Sequence, residues 1–201
     1  MTNTTNDVRQ HILTTAQSII GGKGFSAVGL NEILHASSVP KGSFYHYFGS
    51  KEAFGEALLE NYFTDYLAAL DAVLARSDVS AGERLMAYFE HWLETQATCD
   101  PKGTCLAVKL AAEVSDLSEA MRSVLDYGTA RIIARLTRAI EAGVADGSLA
   151  SQPDASAMAT TLYQLWLGAS LRAKITRDRV PLESALTATR GLLGLPAAVG
   201  T

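Results

Sequence analysis

Apolar residues recur along this chain at spacings of three and four, from Val8 almost to Leu193, and no stretch alternates apolar with polar as a half-buried strand would. That periodicity admits only packed helices. Glycine- and proline-containing breaks divide it into about nine of them, which predicts an all-α fold. Val8, Ile12, Leu13, Ala16, Ile19 and Ile20 mark the first helix, and Gly21-Gly22-Lys23-Gly24 is expected to end it. The glycine run lacks the Gly-x-x-x-x-Gly-Lys-Ser/Thr spacing of a phosphate loop. Phe25 is expected to plug the core, and Leu30, Ile33 and Leu34 give a short second helix one apolar face. Ser37-Ser38-Val39 reads as a tight turn, and Pro40 suits the first turn of a third helix.

The third helix is very short, and Gly49-Ser50 closes it. A fourth opens at Lys51-Glu52 and carries Phe54, Leu58, Leu59, Tyr62, Phe63 and Tyr66. Further helices are predicted over residues 81–97, 104–114, 118–145, 154–176 and 181–193, separated by breaks such as Asp100-Pro101-Lys102-Gly103 and Asp146-Gly147. Three helices with a tight turn between the second and third form a helix-turn-helix unit. The expected organisation is a helix-turn-helix domain over residues 1–51 followed by a helical domain over 52–201.

Of the 201 residues, 48% are hydrophobic and 19% charged, which supports a buried core and excludes global disorder. No apolar run reaches the roughly 18 residues of a membrane helix, and the polar start lacks a signal-peptide design. A cytoplasmic protein without membrane partners is expected. Two cysteines, Cys99 and Cys105, do not make a disulfide framework. The net charge of −4 is unevenly spread: residues 1–51 carry Arg9, Lys23, Lys41 and Lys51 against only Asp7 and Glu32. A mildly basic head on an acidic chain suits a nucleic-acid contact at one end.

The basic and aromatic groups concentrate in Pro40–Lys51. Phe44 and Phe48, four apart, are expected to face inward together, leaving Ser43, Tyr45, His46 and Tyr47 outward or sideways. A helix fits the major groove of a DNA duplex, where side chains near its N-terminus reach base edges. Lys41 can donate to guanine or phosphate, Gly42 permits close backbone approach, and Ser43 can bond a base or phosphate. Tyr45 offers a ring to a thymine methyl, and His46 also faces the bases. Tyr47 and Lys51 are placed for phosphates. Three polar-tipped rings round one short helix would make a poor core.

Gly24-Phe25, Ile33, the run Val39-Pro40-Lys41-Gly42-Ser43-Phe44-Tyr45-His46-Tyr47-Phe48 and Ser50-Lys51-Glu52 resemble the N-terminal domain of TetR-family transcriptional repressors. The match covers roughly residues 7–60, and the helical remainder has the family's length and organisation. The resemblance implies a homodimer whose two helix-turn-helix units read a pseudo-palindromic double-stranded operator, with a C-terminal domain that dimerises and senses. Two departures stand out. Val28-Gly29 occupies the place of the family's usual Thr/Ser pair at the start of helix two, and Ser38 replaces the usual turn glycine. Ser38 would carry a modest cost if that position needs a positive φ.

Cys105 follows Lys102-Gly103-Thr104 at an expected helix start, with Lys109 one turn on; helix-terminal N–H groups and ammonium groups both favour a thiolate. Cys99 sits beside Asp100, whose charge opposes one. From the residues alone, simple packing of Cys105 stays open beside sensing. Gly103–Leu110, Ala112–Glu119, Met121-Arg122-Ser123 and Leu165–Ile175 resemble the sensor domain of the family's N-ethylmaleimide-responsive members. That resemblance implies that Cys105 senses reactive electrophiles and oxidants, with Lys174 as its reaction partner or activator. By its own sequence context, Lys174 could equally snorkel to the surface near a helix end.

A same-family alternative is a non-covalent inducer, a small carboxylate or aromatic compound, in an apolar pocket lined by Tyr88, His91, Trp92, Tyr127, Tyr163 and Trp166. Aromatics at helical spacing also serve as ordinary core. A cysteine enzyme is a distant reading, since no Gly-x-Ser-x-Gly elbow, HExxH or CxxC motif occurs. The four histidines lack metal-ligand spacing, and no cofactor is implied.

Overall fold

The computed structural model describes residues 3–97 and 105–196, and among these it contains nine α-helices and no strand. They are α1 (Asn3–Lys23), α2 (Leu30–Ser37), α3 (Lys41–Phe48), α4 (Lys51–Leu74), α5 (Ala81–Ala97), α6 (Leu106–Leu117), α7 (Glu119–Ala145), α8 (Ala155–Thr176) and α9 (Val180–Leu192). By packing the chain forms two compact units: Met1–Asp65 with Asp100–Gly128, and Tyr66–Cys99 with Thr129–Thr201. This division falls within α4 and α7, and it groups α6 with the N-terminal helices.

In the first unit, α1 continues through Gly21 and Gly22, and only Gly24 takes the left-handed conformation (φ 96°) that ends the helix. Ile12, Leu13, Ala16 and Ile20 of α1 are buried, as are Phe25, Val28 and Ile33, and α1 packs on α2. Phe44, Phe48 and Phe54 form a ring cluster with centroids 5.0–5.2 Å apart, which fixes α3 to the start of α4. His11 Nε2 of α1 donates to the Ser37 carbonyl at 3.1 Å, tying α1 to the end of α2. The turn itself rests on Ser38 at φ 55°, ψ 35°, with the Val39 amide donating to the Leu34 carbonyl (3.1 Å). This is a left-handed helix end of the kind glycine usually supplies, so the expected cost at Ser38 is present. The start of α2 has Gly29 as its N-cap and no side-chain cap, as the departure at Val28-Gly29 implied.

The second unit is built around α8, which packs on α9 and α5. Asp154 caps α8 by accepting from the Ala157 amide at 2.9 Å. Asp146 and Ser148 do the same for α5, accepting from the Ala81 and Gly82 amides, each at 2.9 Å. Arg135 of α7 grips Asp71 of α4 through two bonds of 2.7 and 2.8 Å. Among the described residues, no helix is long and apolar enough to cross a membrane.

Candidate nucleic-acid interface

The eight residues of α3 divide as a helix pinned by two rings must. Phe44 and Phe48 are 0% and 6% exposed, while Tyr45 is 46% exposed and Lys41, Gly42 and His46 lie open to solvent. Ser43 and Tyr47 are half-buried. Among the described residues, the side chains of Lys41, Ser43, Tyr45, His46 and Tyr47 make no hydrogen bond or ion pair. A Cβ built on Gly42 would meet nothing within 4 Å. The fold therefore does not require glycine there, and what it leaves is room for something outside. Arg9 of α1 lies over the Phe48 ring at 5.3 Å and adds a second cation near the same helix.

Lys51, expected at a phosphate, also has internal partners. Its Nζ donates to the carbonyls of Phe25 (3.2 Å) and Val28 (2.8 Å) and sits 5.0 Å from the Phe25 ring centroid. Two of its three N–H groups are thus committed to the loop between α1 and α2. The same loop is held from another side by Glu113 of α6. Its carboxylate accepts from the amides of Phe25 (3.1 Å) and Ser26 (2.6 Å). Burial pushes the Glu113 carboxyl up, but hydrogen bonds from Ser26 and Phe25 and the Lys109 charge outweigh it and hold the group below its usual range. No sequence signal marked Glu113 for this role, because its partners lie 87 and 88 residues away.

Cys105 is the N-cap residue of α6 and is 8% exposed. Its Sγ lies 3.2 Å from the Tyr62 hydroxyl of α4, and its carbonyl accepts from the Lys109 amide at 3.0 Å. The helix-start position expected from the sequence is therefore present, with a tyrosine hydroxyl beside the sulfur that the sequence did not reveal. Cys99, Asp100, Lys102 and Thr104 lie outside the described residues. Lys174 is exposed in the last turn of α8 and belongs to the second unit, whereas Cys105 belongs to the first.

The six aromatic candidates differ in burial. Tyr88, Trp92, Tyr163 and Trp166 are all at most 5% exposed and pack on one another and on Phe89, with ring centroids 5.0–5.8 Å apart. His91 is exposed, and so is Tyr127, at 68%. The second unit has an open groove of about 530 Å³, lined by Arg84, Arg135, Arg138 and Asp71 over Leu74 and several alanines. Among the described residues, no three His, Cys, Asp or Glu side chains converge as a metal site.

A tight-turned helix pair that displays an idle polar face, within an all-helical chain, defines a DNA-binding regulator of the helix-turn-helix class. The chain belongs to the TetR family: residues 12–58 match the bacterial regulatory proteins of that family, and residues 81–189 match the tetracyclin repressor-like C-terminal domain. It is 42% identical over 195 residues to the HTH-type transcriptional repressor NemR of Escherichia coli K12, covering 97% of this chain and 98% of that one. It is 34% identical to the HTH-type transcriptional repressor DhaR of Mycobacterium sp. strain GP1, covering 90% and 89% of the two chains. The crystal structure of E. coli NemR in its reduced form superposes with a TM-score of 0.89 at 43% identity, covering 96% of this chain and all of that one.

Proposed function

We propose that this protein is a homodimeric repressor that holds pseudo-palindromic operator DNA through α3 and releases it when the Cys105 thiol is modified by a reactive electrophile or oxidant. The observation that carries DNA binding is the α3 face, where five polar side chains have no internal partner. Lys41, Ser43, Tyr45 and His46 face base edges, Gly42 lets the backbone approach, and Tyr47 bonds a phosphate. Lys51 serves the interface by holding the loop behind it. In functional terms residues 1–51 read DNA, and residues 52–201 sense and dimerise.

The second copy is taken up by α8 and α9. Leu171, Ile175, Val180 and Leu192 are 41–64% exposed along these helices, and a Cβ on Gly168 or Gly191 would meet nothing within 4 Å. An apolar stripe with open glycines allows another chain's helices to approach closely. Pairing there sets the distance between the two recognition helices, which must match half-sites about 34–36 Å apart.

For the signal, the sulfur of Cys105 adds to the maleimide double bond; an S–C bond forms, and the thiol proton ends on the neighbouring carbon. With hypochlorite the thiol becomes a sulfenic acid and the oxidant leaves as chloride. The likeness of residues 103–123 and 165–175 to the N-ethylmaleimide-responsive members supports this role for Cys105 and an assisting one for Lys174. The protein does this work in the cytoplasm and turns over no substrate. A DNA-shift assay on the gene's own upstream region tests it, with and without N-ethylmaleimide and hypochlorite. Wild type should release DNA under both reagents, and Cys105→Ser should hold it. Lys174→Ala should slow the modification of Cys105.

The arginine-lined groove favours one second reading, a non-covalent carboxylate inducer. Release of DNA from Cys105→Ser by such a compound would select it.

A further inference from the structure

We propose that Glu113 is the positioning residue that carries the state of Cys105 to the DNA-reading head, by gripping the backbone of the α1–α2 loop. This rests on the reading of Cys105 as a sensor.

Cys105 caps the helix whose second-last turn carries Glu113, about 12 Å further along the axis. Leu106, Ala107 and Leu110 between them, and Val114 just beyond, are at most 2% exposed, so one face of α6 is set in the first unit's core. A helix held in this way answers a change at its N-cap by moving as a body, because a packed core does not deform smoothly. A group added to this buried sulfur, 3.2 Å from the Tyr62 hydroxyl, would disturb that contact.

At the far end the grip is charged and close. Glu113 takes both the Phe25 and the Ser26 amides, while Lys51 takes the Phe25 and Val28 carbonyls. The loop is therefore clasped between an anion on its N–H groups and a cation on its C=O groups. Gly24 makes the approach possible: it has φ 96°, and a Cβ there would stand 3.0 Å from Glu113 Oε2. One residue past α6, the Ser118 hydroxyl donates to Glu52 of α4 at 2.6 Å. The loop leads directly into α2 and so into the turn that aims α3. A displacement of α6 by about 1 Å would carry both charge-assisted bonds beyond hydrogen-bond range at once.

Amide hydrogen exchange at Phe25 and Ser26 tests the route without DNA. In wild type, N-ethylmaleimide at Cys105 should speed exchange at these two amides. In Glu113→Gln they should already exchange fast and change little on modification. Operator titration of the same proteins gives the second readout. Unmodified Glu113→Gln should bind about ten-fold more weakly than wild type, and N-ethylmaleimide should weaken it further by less than it weakens wild type. A thermal melt of each protein identifies an unfolded variant, and the wild-type exchange comparison decides the matter without one. Unchanged exchange at Phe25 and Ser26 on modification of wild type would overturn the proposal, whatever the DNA result. Exchange that responds in a protein with no affinity for its upstream DNA would leave the route standing and remove the repressor reading.

Discussion

On α3, Tyr45, His46 and Tyr47 stand round a short helix, and their polar atoms find no partner in the described protein. In the second unit, Tyr88 and Trp92 of α5 and Trp166 of α8 are sealed inside. Aromatic content does not separate the two regions; the acceptors do. The Ser170 hydroxyl donates to the Trp166 carbonyl one turn back (2.7 Å) and so turns a lone pair to the Trp92 indole N–H at 3.0 Å. Thr189 does the same for Trp166, donating to Ala185 at 2.7 Å and accepting at 2.9 Å. Tyr88 shares a 2.8 Å bond with Tyr66. A ring with a polar tip costs free energy to bury unless the tip is bonded. A satisfied tip marks an aromatic as structure, and an idle one marks it as a surface for another molecule.

Removing a ring from each region should give opposite signatures. Trp166→Ala takes out a fully buried side chain and should cost about 3–5 kcal/mol of stability, read as a lowered midpoint in urea unfolding. Ser170→Ala keeps the ring but orphans the Trp92 N–H, and about 1–3 kcal/mol should be lost. A Trp166→Ala protein as stable as wild type would mean that this cluster is a pocket after all.

The α3 face should behave the other way. Lys41→Ala and Tyr45→Ala should leave the unfolding midpoint within about 0.5 kcal/mol of wild type. Operator affinity in a fluorescence titration should fall by about 1–3 kcal/mol for each. Loss of stability without loss of affinity would return these side chains to the core reading.

The helical period was enough to sort α3, because Phe44 and Phe48 are four apart and nothing between them shares their face. Ser38 was legible through the family resemblance, which puts glycine at that turn position. For the six aromatic candidates, periodicity tells which side of a helix is buried but not whether the space beyond is empty. His91 and Tyr127 are exposed, and the other four are buried. Lys51 looked like a phosphate ligand because its sequence neighbours are basic and aromatic. Its carbonyl partners 23 and 26 residues back appear only when α1 and α4 are folded together. Glu113 was silent altogether, since an acid on the sensor helix gives no local sign of two amides in a distant loop.

Glu113 belongs to neither side of the comparison, since its partners are internal but remote, and pH separates it from both. Its carboxyl is held below 4.5 in the folded protein, with burial opposing and the Ser26 and Phe25 bonds and Lys109 prevailing. The unfolded chain therefore binds the proton more readily. The stabilisation is fully present above the unfolded value near 4.5 and is lost as pH falls through the lower folded value. The stability difference between wild type and Glu113→Gln, from urea unfolding at stepped pH, should be largest near neutrality and shrink below 4.5. A difference that held constant through that window would show that the charge plays no part in the grip.

Ser38→Gly is the smallest effect and the finest test of whether the turn and the face it aims are separable. An L-residue in the left-handed region costs about 1–2 kcal/mol. Glycine's greater freedom in the unfolded chain returns about 0.4–1 kcal/mol of that. The variant should gain roughly 0.5–1 kcal/mol in urea unfolding, the difference between those two terms. Ser38 is exposed, and its backbone already has the conformation glycine would take (φ 55°). Affinity for DNA should therefore stay as it is. If affinity falls while stability rises, the serine hydroxyl is itself part of the reading face, and the boundary between idle and satisfied groups runs one turn earlier than α3.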